Sequence, residues 1–166
     1  MKNREQFKAF IFYFLMSIIL LDFGNQIRKI CLEPAIQGFS LKPLFTVTQT
    51  TNTGSAFGLF SNSSLFLILL ALCVLVFLTF YVWTKLTYKN KIELLSITLF
   101  AAGTLGNLIE RVKFGYVIDY IKLSFIDFPI FNVFDIMICL GVTIYCLYSL
   151  FDFTKTRDYS DDCSSK

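Results

Sequence analysis

Histidine occurs nowhere in the 166 residues. That one absence removes Ser-His-Asp and Cys-His nucleophile systems, the HExxH zinc helix and every imidazole ligand. Charge is scarce too: 16% of the residues are Asp, Glu, Lys or Arg, against about 25% in soluble domains. No dense basic stretch with interleaved aromatics is present, so nucleic acid is not an expected partner. The five cysteines, Cys31, Cys73, Cys139, Cys146 and Cys163, contain no CxxC pair. An odd, unpaired set argues against a disulfide framework. The three cysteines that lie within apolar blocks are expected to act as small buried hydrophobes.

What the chain has in place of charge is apolar bulk, 55% hydrophobic and 17% aromatic, gathered into blocks. Such a balance points into a bilayer, and the length fits one domain. Residues 65–83 carry no charge, and at ~1.5 Å rise per residue they match a hydrocarbon layer ~30 Å thick. Three further blocks, about 9–27, 94–111 and 133–151, each contain a polar intrusion. The expected fold is therefore an all-α membrane protein: four transmembrane helices with a small extracytoplasmic β element within about 28–64. Residues 1–154 would form one intramembrane domain, and 155–166 a disordered cytoplasmic tail.

The start "MKNREQFK" is basic like that of a signal peptide but lacks a following A-x-A site, so the first block reads as a retained anchor. Nine of the fifteen Lys and Arg lie before the first block, in "KLTYKNK" and in the tail. Both termini are thus expected in the cytoplasm. Within the polar segment, "LFTVTQTTNTGSAFGLF" alternates like a strand before an N-x-G turn signal. "KFGYVIDYIKL" is a second extended stretch expected on the same side.

The polar residues inside apolar sequence are the ones that need a reason. Asp22, Asn25, Gln26 and Lys29 share one face of the first helix, either as a solvated exit or as a stripe toward a polar cavity. In "AAGTLGNLIER", Gly103 and Gly106 suit close helix packing, whereas Asn107 and Arg111 would be wasted facing lipid and should look inward. Asn132 precedes Asp135 at capping-box spacing, so Asp135 reads as a helix-start carboxylate or a working group. Asp119 in "YVIDY" is either a salt-bridge partner or the second such group. Two carboxylates on one side of the membrane that meet at ~3 Å would share a proton and supply an acid and a base.

Four motifs in order, "NTGSAFG", "GTLGNLIER", "GYVIDY" and "FPIFNVFD", make the chain resemble the lipoprotein signal peptidases, or signal peptidase II. The resemblance implies an intramembrane aspartic endopeptidase of the bacterial inner membrane, with its active site near the extracytoplasmic face. Its substrate would be a diacylglyceryl-modified prolipoprotein, cut N-terminal to the lipidated cysteine. It implies Asp119 and Asp135 as the catalytic dyad and Asn52, Gly54, Asn107, Arg111 and Asn132 as substrate-binding residues. No cofactor and no metal are implied, and the partners are the lipidated precursor and membrane lipid, with the protein a monomer.

The chain also departs from the family pattern. Asn25 stands where an Asp is usual, with Asp22 one turn earlier as a candidate replacement charge. Glu110 replaces an Asp, Tyr120 a Phe, and Phe134 a small Ala, where a ring would narrow the cleft or shift specificity. The competing readings are a proton or ion carrier subunit using buried carboxylates, and an inactive relative that binds precursors.

Overall fold

The computed structural model describes residues 2–54, 63–86 and 90–164, with side chains placed within 3–151. Four helices are long and apolar enough to cross a membrane. These are α1 (Lys2–Leu32), α2 (Ser64–Thr84), α3 (Lys91–Phe114) and α4 (Val133–Ser164). A three-stranded antiparallel sheet, β1 (Ser40–Leu41), β2 (Phe45–Asn52) and β3 (Val117–Leu123), sits at one end of the bundle in the order β1-β2-β3. The four spans and both extended stretches agree with the sequence reading. β3 lies beyond the segment first assigned to β structure and completes the sheet from the far side of α3.

The helix α3 is the hub. Of its apolar window 67% is buried within the protein, against 17% for α1 and α2 and 22% for α4. Small residues let its neighbours approach: a Cβ on Gly103 would collide with the Phe134 carbonyl, and one on Gly106 with the Phe134 ring. The outer surfaces of the other helices present Phe14, Leu15, Ile18, Leu69, Val76 and Leu150, as expected where the solvent is hydrocarbon and not water.

Three expectations change. Cys73, Cys139 and Cys146 are exposed on the bundle surface instead of buried, because in a bilayer the outside is as apolar as the core. The tail backbone continues α4 as helix to Ser164. No Gly or Pro follows Gly141, and once a helix is nucleated each added residue costs little. Phe134 does not intrude on a cleft. Its side chain is 1% exposed and wedges between Gly24 of α1 and Gly106 of α3, the two places where a Cβ would strike its ring.

Beneath the sheet, Ala102, Tyr120, Val133, Phe134 and Met137 form a buried cluster supported by Leu20, Leu21 and Ile27 of α1. This cluster is the floor on which the polar residues stand. A second cluster, with Ala9, Tyr13, Leu78, Val82, Leu94 and Ile97, ties α1, α2 and α3 together at the opposite end.

Candidate active site

Two turns of chain place the carboxylates. α3 stops at Gly115, whose φ of 83° is left-handed and whose N–H donates to the Arg111 carbonyl at 2.9 Å. A side chain would be strained there. The chain then reverses into β3, which pairs with β2 so that Asp119 lies opposite Thr50 and Val117 opposite Asn52. Phe131 bridges to Ile121 on the other edge of β3, with Phe131 N–H donating to the Ile121 carbonyl at 3.1 Å. This bridge delivers Asn132 beside Asp119 just as α4 begins.

Asn132 is the joint of the site. Its side-chain Oδ1 accepts the N–H groups of Phe134 at 2.8 Å and Asp135 at 3.2 Å, capping α4. Asp135 returns the contact: its Oδ2 accepts the Asn132 N–H at 3.0 Å, the reciprocal capping arrangement that the spacing predicts. The same Asn132 donates through Nδ2 to Asp119 Oδ1 at 2.7 Å and to Asn107 Oδ1 at 3.2 Å. Asn107 in turn donates to Asp135 Oδ1 at 2.8 Å. Asn52, at the end of β2, donates to Asp119 Oδ2 at 3.0 Å while its own Oδ1 accepts the Gly54 N–H at 3.0 Å. Arg111 Nη2 donates to the Gly54 carbonyl at 2.8 Å. All seven residues singled out from sequence are thus in one network. Ala56, Phe57 and Gly58 of the first motif lie outside the described residues.

Asp119, Asp135, Asn52, Gly54, Asn107 and Arg111 line one cavity of about 940 Å³. Asn132 does not line it; at 1% exposure it stands behind the carboxylates and holds both through hydrogen bonds. Away from the carboxylates the lining is Leu67, Leu70, Ala71, Val74, Phe100 and Leu140, an apolar trough between α2 and α4. Burial, reinforced by the negative charge of Asp135, pushes the Asp119 carboxyl up to about 6, against the opposing effect of hydrogen bonds from Asn52 and Asn132 and the charge of Arg111. Its partners are those two amides, not the salt bridge that composition also allowed. Among the described residues no three His, Cys, Asp or Glu side chains converge as ligands for a metal ion.

The stripe on α1 does not reach the site. Asp22 and Gln26 are exposed and contact each other, Gln26 Nε2 to Asp22 Oδ1 at 3.5 Å, so Asp22 is no replacement charge. The cation that α1 sends inward is Arg28, which sequence reasoning passed over. Its Nε lies 2.7 Å from Glu110 Oε1, a charge contact without an aligned hydrogen bond, and its guanidinium sits 5.8 Å from the Phe114 ring centroid. Glu110 Oε2 also accepts the Ile118 N–H at 2.7 Å. The signal was available in principle: an ionised Glu110 inside an apolar block requires a nearby cation.

Two amide-held carboxylates sharing a cavity inside a four-helix membrane bundle define a membrane-embedded hydrolase of the aspartic class. The chain belongs to the signal peptidase II family, since the sequence pattern described as "Signal peptidase (SPase) II" matches residues 14–151. It is 32% identical over 156 residues to the lipoprotein signal peptidase of Clostridium tetani, covering 88% of this chain and 97% of that one. To the lipoprotein signal peptidase of Clostridioides difficile it is 34% identical over 151 residues, covering 87% and 99%. A solved structure described as a bacterial membrane enzyme superposes with a TM-score of 0.77 at 28% identity, covering 86% of this chain and 90% of that one. The protein is accordingly a multi-pass membrane peptidase that removes signal peptides from prolipoproteins.

Proposed function

We propose that Asp119 and Asp135 are the catalytic dyad with which this peptidase cuts diacylglyceryl-modified prolipoproteins on the N-terminal side of the lipidated cysteine. The observation that carries the reading is the bridge through Asn132, whose amide nitrogen binds Asp119 while its backbone N–H binds Asp135. Two carboxylates tied to one residue in a shared cavity cannot both ionise comfortably, and one proton serves the pair. The ionised member takes a proton from water as it attacks the scissile carbonyl. The protonated member gives its proton to the carbonyl oxygen, and the collapsing tetrahedral intermediate receives a proton at the departing amine. Water is consumed, the amide C–N bond breaks, and the dyad ends with the proton count it began with.

Asn52, Gly54, Asn107 and Arg111 surround the place where the substrate backbone arrives. Arg111 supplies positive charge beside the two acids, suited to an oxyanion. The apolar trough suits the uncharged core of a signal peptide lying against α2 and α4, whereas a proton carrier requires polar groups along its whole path. The bias of Lys and Arg supports a topology with both termini in the cytoplasm and the sheet and dyad at the outer face of the inner membrane. The seven site residues form one network within a single chain, which supports a monomer in contact with lipid as the working unit.

The test is cleavage of a lipidated precursor by the purified full chain in detergent. Asp119→Asn and Asp135→Asn are expected each to lower kcat by about 100-fold to 10,000-fold, the usual worth of a positioned acid or base. Retained cleavage in either variant removes that residue from the dyad.

A further inference from the structure

Consecutive residues of α3 hold the two strands that carry the site. Arg111 takes the end of β2 through the Gly54 carbonyl at 2.8 Å; Glu110 takes β3 through the Ile118 N–H at 2.7 Å. Ile118 immediately precedes Asp119. Because β3 is an edge strand of the sheet, an outward N–H on that edge lacks a ladder acceptor, and the Glu110 carboxylate provides one. An ionised acceptor makes this bond stronger than a carbonyl would.

A carboxylate 5% exposed near the end of a membrane span is costly to keep ionised unless a cation compensates it. Arg28 fills that need from α1, at 2.7 Å, itself one-fifth exposed and stacked over Phe114. Neither Arg28 nor Glu110 lines the cavity that holds the carboxylates. Both therefore act at a distance of one residue from the chemistry, through the backbone of β3.

We propose that Arg28 and Glu110 form a positioning pair that sets the Asp119 carboxylate against Asn132 and Asp135, with α1 as the anchor and the Ile118 N–H as the point of attachment. The proposal rests on the reading of Asp119 as a dyad member. Since the pair touches no substrate, its loss acts on turnover and not on binding. A misplacement of the order of an ångström at a reacting group costs about 100-fold in rate.

The experiment compares Arg28→Gln, Glu110→Gln, the double variant and Arg28→Lys in the full chain in detergent, with rates normalised to folded protein. The expected result is a kcat lowered by about 10-fold to 100-fold in each Gln variant, with KM within about twofold. The double variant is no slower than Glu110→Gln, and Arg28→Lys recovers most of the activity because it keeps the charge. Deuterium uptake at the peptide containing Ile118 is faster in both Gln variants. A rise in KM with kcat intact, additive losses in the double variant, or unchanged uptake at Ile118 would overturn the proposal. Failure of the unaltered chain to cut the precursor defeats the functional reading instead, and the uptake measurement still decides whether the pair holds β3.

Discussion

At the scale of single residues, the protonation of Asp119 is the property that reaches the assay. A carboxyl raised to about 6 keeps its proton below that pH and loses it above. The proposed dyad needs one shared proton, so kcat/KM is expected to fall as the pH rises through about 6, as a limb belonging to the pair. The Asn52 hydrogen bond favours the ionised form. Asn52→Ala is therefore expected to move this limb to higher pH while lowering the maximum. A pH–rate profile checks it, and a limb shifted downward sinks the assignment. Asn107, Arg111, Asp119 and Asp135 were legible because each is a polar group set in apolar sequence, and Asn52, Gly54 and Asn132 because the motifs that hold them occur in a known order. Arg28 was not. Its cue was a partner 82 positions away on α3, and helical spacing directed attention to Lys29 on the exposed face.

At the scale of elements, the packing of α4 against α1 and α3 turns on one ring. Phe134 occupies the hollows left by Gly24 and Gly106, so its large ring is matched by the absence of side chains opposite. Gly106→Ala forces that ring from its seat and is expected to destabilise the bundle by about 1–3 kcal/mol, the usual cost of overpacking. Phe134→Ala alone loses about 3–5 kcal/mol of buried packing. Combined, the two are expected to cost less than their sum, because the new methyl partly fills the cavity. Thermal midpoints of the single and double variants in detergent decide this; strict additivity would show that Gly106 and Phe134 do not interlock. The helices themselves were readable from uninterrupted apolar length, and β2 and β3 from alternation and β-branching. Helix ends ran longer than the apolar blocks, since backbone hydrogen bonding continues past the last apolar side chain. Which partner filled Phe134's surroundings was beyond reach, because it depends on three helices meeting.

At the scale of the whole molecule, the proposed dyad shares one cavity with an apolar trough walled by α2 and α4. Ala71 of α2 lies in its wall. Ala71→Trp is expected to raise KM for the lipidated precursor by about 10-fold with kcat nearly unchanged, as for loss of uniform binding. Steady-state kinetics test it, and an unchanged KM would place the substrate elsewhere. The number and order of spans could be read from composition; the trough could not, because its walls come from α2, α3 and α4, which only the fold brings together.

The central burial of α3 also constrains how the protein is made. This helix carries Asn107, Glu110 and Arg111 into the bilayer, groups that hydrocarbon alone would reject. The ribosome delivers α1 and α2 first, so a receiving surface that includes Arg28 is already inserted when α3 emerges. α4 arrives last and closes over Gly103 and Gly106. A nascent chain halted after α3 would leave the Asn107 amide without Asn132 and Asp135 to meet it. The polar side chains that make α3 hard to insert are thus the same ones that its neighbours later satisfy at the proposed working centre.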